Sequence, residues 1–133
     1  MKNLKDILYK VAIDVIVGSS NVMISKIEFD SRKVEANDVF VALKGTLVDG
    51  HEFISKAIKL NAVVIVCEEI PSDKQVGVTY VQVADANLAL AMMSANYYEN
   101  PSEELQLVGV TGTNGKTTIA TLLYQQFKNA GYK

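Results

Sequence analysis

The chain has 133 residues, 49% of them hydrophobic, with 13 basic against 15 acidic side chains and a net charge of −2. That apolar content suffices for a packed core, while a single arginine, Arg32, and a near-neutral balance leave no basic face for nucleic acid. The lone cysteine, Cys67, excludes a disulfide framework; set in the apolar run 62–67, it reads as a small buried hydrophobe.

Taken in chain order, Leu4, Ile7, Leu8 and Val11 fall at helical spacing, predicting a short helix over residues 3–11. Lysines followed by the apolar residues 11–17 have the outline of a signal peptide. Asp6 and Asp14 interrupt that outline and no long apolar run follows. A soluble cytoplasmic protein, monomeric and without membrane insertion, is expected. Residues 22–29, 38–43, 62–67 and 79–83 read as strands, rich in β-branched side chains. Between them Phe53, Ile54, Ala57 and Ile58 mark the apolar face of a helix. A longer helix is predicted from an N-cap at Asp85 to Tyr98, with Leu88, Ala91, Met92 and Ala95 as its buried stripe. Strands alternating with helices predict an α/β fold. The polar, proline-containing segment 100–104 breaks the pattern and places a boundary between a domain of residues 1–99 and a second of residues 100–133.

The second segment carries the most specific chemistry. The apolar run 105–110 predicts a strand, and Ile119, Leu122, Leu123 and Phe127 predict an amphipathic helix. Between them lie Gly109, Gly112, Thr113, Asn114, Gly115, Lys116, Thr117 and Thr118. Glycines let the backbone curl so that successive N–H groups converge, and a helix N-terminus adds partial positive charge. Such a hollow suits phosphate, with Lys116 supplying a mobile charge and the Thr117 hydroxyl a ligand for Mg²⁺. The usual phosphate-loop spacing demands glycine at position 110, where this chain has valine.

The spacing Gly109, Gly112, Gly115, Lys116, Thr117 resembles instead that of the Mur ligases and their folylpolyglutamate synthetase relatives, most of all the MurE branch. A second string, residues 29–45 followed by Asp49, Gly50, His51, Glu52 and Phe53, resembles the uridine-nucleotide-binding N-terminal domain of MurE and MurF. The two strings stand in family order. The resemblance therefore implies an N-terminal UDP-sugar-binding domain followed by the first βα unit of a phosphate-loop ATP-binding domain, with the chain ending inside that second domain.

For the sites, the resemblance implies that Gly112, Thr113, Asn114, Gly115, Lys116, Thr117 and Thr118 bind ATP, that Lys116 is catalytic, and that Thr117 holds Mg²⁺. It implies contacts to the UDP-sugar from Phe29, Ser31, Thr46, Leu47 and Val48. Leu47 and Val48 have no polar side-chain atoms, so any hydrogen bonds they make there are main-chain ones. Arg32 has the shape to clamp a diphosphate, and equally to pair with a nearby carboxylate. His51 has no evident partner as a general base and reads as a loop-packing or helix-start residue; Tyr97 and Tyr98 read as packing. Asn37 stands where the family pattern has glycine, and asparagine tolerates the left-handed backbone such a turn needs.

The activity implied is ATP-dependent amide ligation in peptidoglycan precursor synthesis. The carboxylate of UDP-N-acetylmuramoyl-L-alanyl-D-glutamate is phosphorylated, and the amine of a diamino acid, meso-diaminopimelate or L-lysine, displaces phosphate. The 133 residues alone are expected to be inactive. A MurF-type ligase and a non-catalytic UDP-sugar-binding module are the alternative readings.

Overall fold

In the computed structural model, residues 1–133 are described except Leu47, Gln106 and Lys133. The chain divides into two compact units, Met1–Pro101 and Ser102–Lys133.

The first unit is an α/β layer structure. Its strands are β1 (Lys2–Asn3), β2 (Val15–Val17), β3 (Met23–Ile24), β4 (Ile27–Glu28), β5 (Val39–Val41), β6 (Val64–Cys67) and β7 (Thr79–Gln82). Its helices are α1 (Leu4–Ile7), α2 (Ile54–Lys59) and α3 (Ala86–Tyr97). Five strands form one sheet in the order β2-β7-β6-β5-β4, in which only the β2–β7 pairing is antiparallel. β1 and β3 form a separate antiparallel pair.

The strand sequences explain how this sheet is buried on both sides. Side chains alternate between faces along a strand, and here both sets are apolar, as expected for parallel strands covered by helices. Val39, Val41, Val64, Val66, Val81 and Val83 point to one face, where they pack with Leu4 and Ile7 of α1 and Ala86, Ala89 and Met93 of α3. Phe40, Ile65 and Tyr80 align in register and point the other way, against Ile54 and Ala57 of α2. Cys67 lies in that second layer, fully buried, and burial pushes its thiol up to about 11.

Four expectations change. The helix over 3–11 shortens to α1 because Lys10 adopts a left-handed backbone (φ 58°), although Leu4, Ile7, Leu8 and Val11 all reach the core. The strand over 22–29 is two: β3 pairs with β1 and β4 with β5, so the chain changes partner at Ser25–Lys26. In α3 the buried side chains are Ala86, Ala89 and Met93, while Leu88 and Ala91 face solvent. This helix is apolar nearly all round, so periodicity leaves its phase open; the small Ala86 and Ala89 let it approach the sheet closely. Lastly, residues 15–17, absent from the predicted strands, form the edge strand β2.

The second unit holds α4 (Lys116–Asn129). Residues 107–110 carry no strand, and Leu107 and Val108 are exposed. A strand requires a ladder partner for its N–H and C=O groups, and among the described residues none pairs with this run. Two glycines past it have positive φ, 149° at Gly112 and 77° at Gly115, so the sequence's glycines are needed for backbone shape. Among the described residues no helix is long and apolar enough to cross a membrane.

Candidate functional site

Because β4, β5 and β6 are parallel neighbours, the segments that follow them all leave from one edge of the sheet. The carboxyl ends of the strands in an open α/β sheet are where ligands are commonly held. Phe29 follows β4 directly and is 61% exposed. Ser31 sits in the turn closed by the bond from Lys33 N to Asp30 O, 2.9 Å, and is buried. Arg32 is committed within that turn: its Nε and Nη2 donate to Asp30 Oδ1 and Oδ2 at 2.9 and 2.8 Å. Those bonds, with one from the Arg32 backbone N–H, hold the Asp30 carboxyl well below the usual carboxylate range. Arg32 thus forms the carboxylate pair that is one of its two readings.

After β5 the chain makes a tight excursion. Gly45 N donates to Val48 O at 3.1 Å, Lys44 bridges Asp49, and Gly50 N donates to Leu43 O at 2.8 Å. Thr46 and Val48 are exposed at the turn; Leu47 lies outside the described residues. A Cβ at Gly45 would stand 2.7 Å from Val48 O, and one at Gly50 would stand 2.6 Å from Leu43 O, so both closures require glycine.

His51 lies in the 3-10 turn Gly50–Phe53 and has partners on both ring nitrogens. Nδ1 lies 2.6 Å from Asp49 Oδ1, and Nε2 accepts from Glu68 N at 3.2 Å and Glu69 N at 3.3 Å, just past β6. An Nε2 that accepts is unprotonated, which assigns the proton to Nδ1 and makes it the donor to Asp49. Asp49 also accepts from His51 N at 2.9 Å, capping the 3-10 turn Gly50–Phe53. The backbone bond first, and the ring second, hold the Asp49 carboxyl below its ordinary value. The spacing Asp49-Gly50-His51 carries the signal for this cap, since an aspartate commonly accepts from the backbone two residues on.

At the opposite, amino edge of these strands, just before β5, Asp38 is fully buried. One carboxylate oxygen, Oδ2, accepts from Glu35 N at 2.7 Å and lies 3.7 Å from Lys26 Nζ; the other, Oδ1, has no hydrogen-bond partner. Burial pushes this carboxyl up, against the Glu35 N–H and the Lys26 charge. The preceding Asn37 has φ 67°, the left-handed turn expected at that position.

In the second unit the predicted phosphate loop runs into α4. Gly115 O accepts the first intrahelical bond, from Ile119 N at 2.9 Å. The N–H groups of Lys116, Thr117 and Thr118 therefore have no acceptor in the preceding turn of the helix. Lys116 Nζ folds back over the loop, donating to Gly112 O at 2.5 Å and Thr113 O at 3.4 Å. Gly112, Thr113, Asn114, Gly115, Lys116, Thr117 and Thr118 are all exposed. Free amides at a helix start, a left-handed glycine on either side of the bend and an ammonium over it together fit an anionic phosphate chain. The Thr117 hydroxyl offers one oxygen for a divalent cation; among the described residues no cluster of three histidine, cysteine or carboxylate side chains provides a metal site.

Residues 23–98 match the family model described as "Mur ligase family, catalytic domain". The UDP-N-acetylmuramoyl-L-alanyl-D-glutamate–2,6-diaminopimelate ligase of Bacteroides fragilis is 48% identical over 130 residues, covering 98% of this chain and 27% of that protein. The ligase of the same name from Cytophaga hutchinsonii is 47% identical over 131 residues, again 98% and 27%. The chain thus spans about a quarter of the length of these relatives. Among solved structures, the UDP-N-acetylmuramoylalanyl-D-glutamyl-2,6-diaminopimelate–D-alanyl-D-alanyl ligase of Acinetobacter baumannii aligns with a TM-score of 0.55 and 31% identity, over 80% of this chain and 23% of that one. MurF of Thermotoga maritima, solved in complex with ADP, aligns with a TM-score of 0.53 and 32% identity, over 78% and 23%.

Proposed function

The chain belongs to the Mur ligase family, and from that premise we propose that it supplies the UDP-sugar-binding domain and the phosphate loop of a MurE-type ligase. The reaction we assign to the parent enzyme joins a diamino acid to UDP-N-acetylmuramoyl-L-alanyl-D-glutamate. The D-glutamate carboxylate attacks the γ-phosphorus of ATP and ADP leaves; the amine then attacks the acyl phosphate, forming the amide and releasing phosphate. A carboxylate is a poor electrophile until it is phosphorylated, which is why ATP is consumed.

The observation that carries this reading is the 48% identity to a diaminopimelate-adding ligase over 98% of the chain, a span that includes both units. That level favours MurE over MurF, to whose structures the chain is 31–33% identical. The relatives' names favour diaminopimelate over lysine as the added amino acid.

The residue roles we propose rest on the family resemblance, and the geometry of the two units supports them. In the first unit Phe29, Ser31 and the turn bearing Thr46, Leu47 and Val48 hold the UDP-sugar at the carboxyl edge of the sheet. In the second, the amides from Gly112 to Thr118 receive the phosphates of ATP, and Lys116 exchanges its bonds to Gly112 O and Thr113 O for the transferring phosphoryl group. Thr117 is the side chain here suited to Mg²⁺, which supplies charge neutralisation at the phosphates.

Calorimetric titration of the 133-residue chain tests the two assignments separately. UDP-N-acetylmuramoyl-L-alanyl-D-glutamate is expected to bind through the first unit, and Mg-ATP through the loop. Failure of the chain to bind the UDP-sugar would sink the first assignment, and failure of Lys116→Ala to weaken Mg-ATP binding the second. No ligase turnover is expected from these residues alone; ADP release with the full substrate set would contradict that.

A further inference from the structure

We propose that Asp49 and His51 are positioning residues for UDP-sugar binding, which tie the base of the turn at 45–48 to the start of the segment after β6. This rests on the reading of Thr46, Leu47 and Val48 as contacts to the UDP-sugar.

Capping explains only part of what these two residues do. The cap of the 3-10 turn needs the Asp49 carboxylate and the His51 backbone N–H, and would form with almost any side chain at position 51. The imidazole adds two bonds that reach 17 and 18 residues along the chain, to Glu68 N and Glu69 N. It also adds the 2.6 Å bond to Asp49. A ring with a donor on one side and an acceptor on the other is a rigid strut between the two segments. Its side chain is only 17% exposed, so solvent competes weakly for those bonds.

The turn has reason to need such a strut. Among Thr46, Leu47 and Val48 one hydroxyl is the only polar side-chain group, so recognition there falls mainly on main-chain atoms, which bind well only if already ordered. Among the described residues, the other long-range side-chain links to this base are the ion pairs of Lys44 with Glu69 at 3.5 Å and Glu68 at 3.8 Å. Lys44 and Glu69 are half to largely exposed, and exposed pairs of this kind hold geometry weakly.

Four variants of the 133-residue chain, titrated with UDP-N-acetylmuramoyl-L-alanyl-D-glutamate, decide the matter. His51→Ala is expected to bind roughly tenfold more weakly. His51→Asn keeps a donor for Asp49 but does not reach the Glu68 and Glu69 amides, and should lose as much. His51→Gln places an acceptor near those amides and should recover part of the loss. Asn96→Ala removes bonds to Ile7 O at the end of α1 and to Tyr9 O just past it, so it should lower thermal stability while leaving affinity intact. Undiminished binding by His51→Asn, or an equal loss in Asn96→Ala, would overturn the proposal while the binding assignment stands. No binding by the unaltered chain would overturn both. Folding is followed by the amide NMR spectrum; should His51→Ala not fold, His51→Asn and His51→Gln carry the decision.

Discussion

Lys116 Nζ donates to the carbonyl oxygen of Gly112 at 2.5 Å, so the one cation of the loop is held over the bend that its own helix begins. The bond is exposed and its loss costs the fold little. Lys116→Ala is therefore expected to leave the melting temperature of the chain within a degree or two and to lower kcat of the full-length ligase by roughly 10²–10³-fold. Steady-state ADP release and a thermal melt check the two halves. A large drop in melting temperature would assign Lys116 a structural role instead.

Helix α4 has no side chain buried, and Ile119 and Leu122 are about half exposed. The side bearing Leu123, Tyr124 and Phe127 borders a groove of about 550 Å³ shared with Val108 and Val110. Isolated helices of this length are marginal in water. The amides of Leu122 and Leu123 are expected to exchange with solvent about 10³-fold faster than those of Ile65 and Val66. Hydrogen exchange on the monomer measures this directly; comparable protection would mean that α4 has a stabilising partner.

Cys67 titrates differently in the folded and unfolded chain. Its thiol moves from an ordinary value of 9.0 to about 11 on burial, so between those values the folded state holds the proton that the unfolded state has lost. Stability from this group is complete below 9.0 and falls as pH rises toward 11, by about 3 kcal/mol in total. Urea melts of the unaltered chain and Cys67→Ala across that range should converge as pH rises. Parallel curves would show that the thiol does not contribute.

Asp38 presents the same sign in the acid range. Its carboxyl is raised by burial, so the folded state binds the proton more tightly and stability declines as pH rises above the ordinary 3.8. Asp38→Asn keeps an acceptor for Glu35 N and removes a buried charge that has one oxygen without a partner. At neutral pH the variant is expected to be as stable as the unaltered chain or more so, by up to about 1 kcal/mol. Denaturant midpoints test it; a loss of several kcal/mol would show that the Lys26 pairing outweighs burial.

The residues themselves announce two kinds of feature. The glycines at 112 and 115 are legible because a left-handed bend before a helix excludes most other residues, and Asn37 is legible for the same local reason. The core strands 39–41 and 64–67 are legible because a run apolar at every position suits a strand covered on both faces. Features that depend on what lies across the fold were not. The phase of α3, the edge strand at 15–17 and the absence of a ladder at 107–110 depend on which surface each segment meets. The Asp30–Arg32 pair was one of two readings until the turn brought them together. The contacts of His51 Nε2 were not legible because they are to backbone N–H groups 17 and 18 residues away, and every residue except proline carries one, so no residue type marks them. Local backbone stereochemistry and hydrophobic pattern are written residue by residue; a contact between distant main-chain atoms exists only once the sheet has set its neighbours side by side.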